Sequence, residues 1–123
     1  MEKHILLIDD DEDEFEMFTD ALAEISIPLK FSWADSAEEA LKLMQHFIPD
    51  YIVLDYNMPK TNGLLCLAAI KKIPEIAHVP VIFYSTTINH ENSSKALELG
   101  AVGCIKKPSD NRSLVKCIQP FLK

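Results

Sequence analysis

Glycine is scarce in this chain: Gly63, Gly100 and Gly103 are the only three among 123 residues. Neither a G-x-x-x-x-G-K nor a G-x-G-x-x-G phosphate loop can be assembled from those positions, which excludes both nucleotide-binding motifs. Cysteine is equally sparse. Cys66, Cys104 and Cys117 make an odd count without a C-x-x-C pair, so neither a disulfide framework nor a zinc site is expected and a reducing compartment fits best. No histidine stands near any of them in sequence, and each reads as a small buried hydrophobe rather than a nucleophile. Long apolar runs are absent too: the longest, Leu64–Ile70, falls far below the ~20 residues of a membrane span. Basic residues are in deficit, with 12 Lys+Arg against 19 Asp+Glu and a net charge of −7. Phosphate backbones and anionic bilayers must be neutralised by lysine and arginine, so no nucleic acid and no membrane is expected as partner. The N-terminus runs from Met-Glu-Lys-His through four apolar residues into an acidic cluster, which is no signal peptide, and a cytoplasmic location is the expectation.

What is present suits one globular domain over 1–123. Hydrophobic residues make up 48% and charged residues 25% of the chain, an ordinary globular balance. A chain of this length buries roughly two-thirds of its unfolded surface and needs no metal or disulfide staple. Ile5–Ile8, Tyr51–Leu54 and Val81–Tyr84 are short unbroken apolar runs of the kind that form parallel strands covered on both faces. Phe31-Ser32-Trp33 alternates and reads as a more peripheral strand, and Val102–Ile105 is a fifth candidate. Helical periodicity fills the gaps. Phe15, Phe18, Leu22 and Ile25 mark one face of a first helix whose other face is acidic. Ser36 and Glu39 form a capping box ahead of Ala40, Leu41 and Met44. Leu64, Leu67, Ala68 and Ile70 mark a third helix, Ala96, Leu97 and Leu99 a fourth, and Leu114, Val115 and Ile118 a fifth. Five β-α repeats predict a flavodoxin-like, doubly wound five-stranded parallel sheet of order 2-1-3-4-5 with helices on both faces.

In such a sheet, ligands bind beyond the carboxyl ends of the strands. That end is populated by Asp9, Asp10 and Asp11 after the first strand, Asp55 after the third, Ser85 after the fourth, and Lys106-Lys107-Pro108 after the fifth. With the first and third strands adjacent, Asp9, Asp10 and Asp55 converge, flanked by Ser85 and Lys107. Crowded carboxylates raise at least one pKa, and a divalent cation relieves the repulsion. Mg²⁺ takes oxygen ligands and commonly sits between one or two carboxylates and a phosphate. Lys107 supplies a cation and Ser85 a hydroxyl donor for phosphoryl oxygens. These are the parts for phosphoryl transfer to a carboxylate. Each alone has a plain alternative as a solvated helix start or a loop; their coincidence at one end of four strands points to a site.

These residues bring the chain close to a known family. Ile5–Asp11, Val53–Gly63, Pro80–Ser85 and Gly100–Pro108 together make it resemble the receiver domain of two-component response regulators over essentially its full length. The resemblance implies that Asp55 accepts a phosphoryl group from a sensor histidine kinase or a phosphotransfer protein. It implies Mg²⁺ held by Asp10, Asp55 and the backbone carbonyl of Asn57, with Asp9 acting through a metal-bound water. Lys107 would pair with the phosphoryl oxygens and Ser85 would hydrogen-bond them, and the Lys107–Pro108 bond is similar to one that is cis in the family. Asn57 and Thr87 stand where receivers tune the access of water. The usual switch aromatic is replaced by Cys104, a small thiol that cannot swing as a ring does. The chain resembles a stand-alone receiver, not an enzyme beyond its own phosphorylation and dephosphorylation, that signals to a downstream protein through its fourth helix, fifth strand and fifth helix.

Three other readings compete. Asp9, Asp11 and Asp13 have the spacing of an EF-hand, but Glu14 and Asp20 stand where that loop needs glycine and glutamate. Asp9 and Asp11 also mimic the D-x-D of haloacid-dehalogenase-like phosphatases, although Asp13 departs from that pattern. A pseudo-receiver that binds partners without phosphorylation would be expected to lack part of the set Asp9, Asp10, Asp55, Ser85 and Lys107. The four histidines have no ligand spacing, and Trp33 reads as packed against the sheet.

Overall fold

The computed structural model describes residues 2–56, 63–85, 90–107 and 111–122. Five strands, β1 (Lys3–Ile8), β2 (Leu29–Ala34), β3 (Tyr51–Leu54), β4 (Val81–Ser85) and β5 (Gly103–Lys106), alternate with five helices. The helices are α1 (Glu12–Leu22), α2 (Ala37–Leu43), α3 (Gly63–Lys71), α4 (His90–Glu98) and α5 (Asn111–Ile118), followed by a 3-10 turn at Gln119–Phe121. All strand pairs are parallel and the sheet order is β2-β1-β3-β4-β5, as the repeat predicts.

Alternation along the strands divides the core in two. Leu6, Ile8, Ile52, Leu54, Val81 and Phe83 face α2, α3 and α4, where Ala40, Cys66, Leu67, Ile70 and Ala96 cover them. Ile5, Leu7, Tyr51, Val53, Ile82, Tyr84 and Ile105 face α1 and α5, where Phe18, Ala21, Leu22, Leu114 and Ile118 pack. Both layers favour apolar residues along the central strands, which is why β3 and the first four residues of β4 are unbroken hydrophobic runs. Each fully buried large side chain contributes about 1.5–3 kcal/mol. Ser36 caps α2 by accepting from the Glu39 N–H at 3.1 Å, the half of the capping box the sequence predicts.

Three packing expectations need correction. Among the described side chains of α4 only Ala96 is buried, whereas Leu97 and Leu99 are exposed. Leu97 is one residue, about 100° of turn, away from Ala96, and Leu99 lies past the helix end at Glu98. Leu65, inside the apolar run Leu64–Ile70, and Cys117 are likewise exposed beside buried neighbours, so that run is only partly core and not every cysteine is buried. Val102 precedes β5 rather than opening it, and Lys106 closes that strand.

Candidate functional site

The carboxyl ends of the central strands are held level by backbone hydrogen bonds. The Asp9 N–H donates to Ala34 O at 3.0 Å, the Asp55 N–H to Ile8 O at 2.9 Å, and the Lys107 N–H to Ser85 O at 2.8 Å. Asp9 and Asp55 continue the alternation of Ile5–Leu7 and Tyr51–Val53, and Lys107 continues that of Ile105, so all three fall on the α1/α5 side. Their side chains meet there. Lys107 Nζ stands 3.0 Å from Asp9 Oδ2 and 3.9 Å from Asp55 Oδ1, with both carboxylates almost fully buried. Carboxylate oxygens of Asp9, Asp10 and Asp55 lie within 4.8 Å of one another. Asp10 is the exposed member of this group, facing the solvent from which an ion would arrive. Three hard oxygen donors at this spacing fit a divalent cation such as Mg²⁺ or Mn²⁺.

The acidic turn is braced from several directions. Asp9 Oδ1 accepts from the Asp11 N–H at 3.0 Å, and Asp11 in turn caps α1 by accepting from the Asp13 N–H at 2.9 Å. The Trp33 indole N–H donates to the Asp9 carbonyl at 2.8 Å while its ring stacks on Phe15. Trp33 thus packs against the sheet as expected and also pins the backbone of the site. Gly63, at the start of α3, donates its N–H to Tyr56 O at 2.9 Å. A Cβ there would stand 2.7 Å from both Asp55 O and the Phe83 ring, so glycine is what lets α3 approach the Asp55 loop. Ser85 is fully buried at the last position of β4, opposite Lys106 in the register.

Electrostatics follow from burial. Burial pushes the Asp9 carboxyl above its ordinary value, partly offset by the Asp11 N–H and by Lys107, with the Asp10 charge adding to the rise. The rise expected from carboxylate crowding is present, but desolvation is its chief cause. Burial alone would lower the Lys107 ammonium; Asp9, Asp55 and Glu14 outweigh it and hold the amine above its usual range. Lys107 also sits 5.3 Å above the Tyr84 ring, an arrangement that favours the charged form.

Glu14 is the member that sequence reasoning did not assign to the site. Its Oε1 stands 3.7 Å from Lys107 Nζ with the side chain mostly buried. In sequence it is one of three acids in the first turn of α1, and its neighbours Glu12 and Asp13 are exposed. The only available signal was its place two residues after the exposed Glu12, on the inward side of a helix whose face continues to Phe18. Asn57 and Thr87, and the proline of the Lys107–Pro108 bond, lie outside the described residues. Cys104 is half-buried against the α4 side of the core, its Sγ 4.0 Å from Ser93 O. Among the described residues, no helix is long and apolar enough to cross a membrane.

The family model for the response regulator receiver domain matches residues 5–119. The chain is 31% identical to the chemotaxis protein CheY of Halobacterium salinarum over 125 aligned positions, covering 99% of this chain and 98% of CheY. Among solved structures it superposes on the phosphorylated cyanobacterial phytochrome response regulator RcpA with a TM-score of 0.86 at 26% identity, covering 98% of this chain and 91% of RcpA. The Mn²⁺-bound form of the response regulator Rcp1 gives 0.82 at 25% identity, covering 97% and 91%. The chain spans only 23% and 30% of the phosphodiesterase and methylesterase relatives that it also matches. A parallel 2-1-3-4-5 sheet, an acidic group at its carboxyl edge and a family match over almost the whole sequence converge on one assignment: the chain belongs to the response regulator receiver domains of two-component systems.

Proposed function

We propose that the chain is a receiver that accepts a phosphoryl group on Asp55 in a Mg²⁺-dependent reaction and signals through phosphorylation-dependent protein binding. The observation that carries this reading is Lys107 Nζ standing between the buried carboxylates of Asp9 and Asp55, with Asp10 beside them. In the transfer, an Asp55 carboxylate oxygen forms a bond to phosphorus as the phosphorus–nitrogen bond of a phosphohistidine breaks, and the departing imidazole takes up a proton. Asp10, Asp55 and the Asn57 carbonyl would hold the Mg²⁺, with Asp9 reaching it through water. Bound there, the ion neutralises charge on the phosphoryl oxygens. Lys107 neutralises a further oxygen, and Ser85 donates a hydrogen bond to another. Burial of Asp55 at the end of β3 restricts water at the acyl phosphate.

A sensor histidine kinase or a phosphotransfer protein is the donor in this reading. The phosphoryl group adds negative charge, and that charge biases a two-state equilibrium that a partner protein reads. Leu97, Leu99 and Val102 are exposed together on α4 and the turn into β5, which supports the α4–β5–α5 face as the one a downstream protein reads. Coupling of ~1–3 kcal/mol would change the partner's affinity about 5–150-fold. The reading is tested by incubating the protein with a small acyl phosphate and scoring incorporation. Transfer that needs Mg²⁺ and disappears in Asp55→Asn supports it; an unlabelled wild type would leave a phosphorylation-independent binding module.

A further inference from the structure

We infer that Glu14 is a positioning residue that holds Lys107 back from the phosphoryl group and so sets the site's resistance to phosphorylation. This rests on the reading of Asp55 as acceptor and Lys107 as its cation. An ammonium has three N–H donors, and Lys107 faces three carboxylates: Asp9 at 3.0 Å, Glu14 at 3.7 Å and Asp55 at 3.9 Å. Two of these change role when the site is loaded. Asp55 would become the acyl phosphate and Asp9 would serve the ion through water. Glu14 belongs to neither the ion's ligand group nor the acceptor, so its carboxylate stays on Lys107. It is fixed there by the helix: its N–H bonds to Asp11 O at 3.1 Å in the first turn of α1.

An incoming dianionic phosphoryl group therefore competes with Glu14 for the same ammonium. It also meets the Glu14 charge across a largely buried space, where screening by solvent is weak. Glu12, Asp13 and Glu16 on the same helix are exposed and cannot act in this way. Removing the Glu14 charge frees Lys107 to follow the phosphoryl oxygens.

The test measures binding of beryllofluoride, a phosphoryl mimic, at saturating Mg²⁺, together with the rate of labelling by a small acyl phosphate. Glu14→Gln is expected to tighten beryllofluoride and speed labelling by about three- to tenfold. Glu14→Asp keeps the charge but withdraws it by one methylene, and is expected to fall between wild type and Gln. Glu12→Gln removes an equal charge from the exposed side and is expected to leave both quantities within twofold of wild type. Equal gains from Glu14→Gln and Glu12→Gln would overturn the inference in favour of a general charge effect, and an unchanged Glu14→Gln would overturn it outright. If wild-type protein takes no label at Asp55, it is the acceptor reading that fails; a labelled wild type with an indifferent Glu14→Gln removes Glu14 alone.

Discussion

Asp10 is the one carboxylate of the acidic group that solvent reaches, and Trp33, the only tryptophan, is bonded to the carbonyl of its neighbour Asp9. Ion binding at the site should therefore change the Trp33 fluorescence, and a Mg²⁺ titration should saturate. In Asp10→Ala the titration is expected to shift to at least tenfold higher Mg²⁺, the loss typical when a ligand of a metal site is disturbed; an unshifted curve would remove Asp10 from the ligand group. At this scale much was legible from sequence, because Asp9, Asp55 and Lys107 each stand at a strand's end where topology gathers them. Glu14 was not, because an acid in the first turn of a helix is indistinguishable in sequence from neighbours that serve only the helix dipole. The pairing of Trp33 with the Asp9 carbonyl was hidden for the same reason: an indole on an edge strand could turn to either face.

Helix termini carry the next set of expectations. Loss of the Ser36 cap in Ser36→Ala should lower stability by about 1 kcal/mol with no change in Mg²⁺ affinity, since α2 lies on the far face from Asp9. Gly63→Ala drives a methyl group against backbone atoms of Asp55 and Tyr56 that cannot move freely. It should cost about 1–3 kcal/mol in urea denaturation and weaken the Mg²⁺ response as well, because the displaced loop carries Asp55. The cysteines separate by element. Burial pushes the Cys66 thiol in α3 up to about 12, while Cys117 in α5 is exposed. A thiol reagent should label Cys117 in the folded protein and Cys66 only on unfolding. Strands were the most legible elements, since burial on both faces leaves a continuous apolar signature. The α4 helix was the least, because among its described side chains it buries one alanine and the adjacent leucines mimic a core face.

Across the whole molecule, the sheet has a chemical end and a structural end. At the structural end His4 stacks on Phe47 at 4.3 Å and its ring bonds Ser32 Oγ at 2.7 Å. Burial, helped by the Lys30 charge, lowers its pKa below 6.5 against the opposing pull of Asp50 and Glu2. The unfolded chain therefore takes up a proton that the folded chain declines as pH falls through 6.5, and stability drops. Urea midpoints should fall from about pH 7 to about pH 5.5, and His4→Gln should flatten that slope. Asp9 and Glu14 act with the opposite sign. Their raised values mean that protonation relieves the fold, so their part of the stability grows as pH falls toward 3.8 and 4.5. Mg²⁺ should achieve the same relief at neutral pH and raise the melting temperature of a chain whose net charge is −7.

The most direct measurement of the central claim is a peptide mass map of the protein after reaction with a small acyl phosphate. With Mg²⁺ present, one phosphoryl group should appear on the peptide containing Asp55, and chelating the ion before the donor is added should prevent it. A phosphoryl group found on any other residue, or formed on Asp55 to the same extent without a divalent ion, would contradict the account.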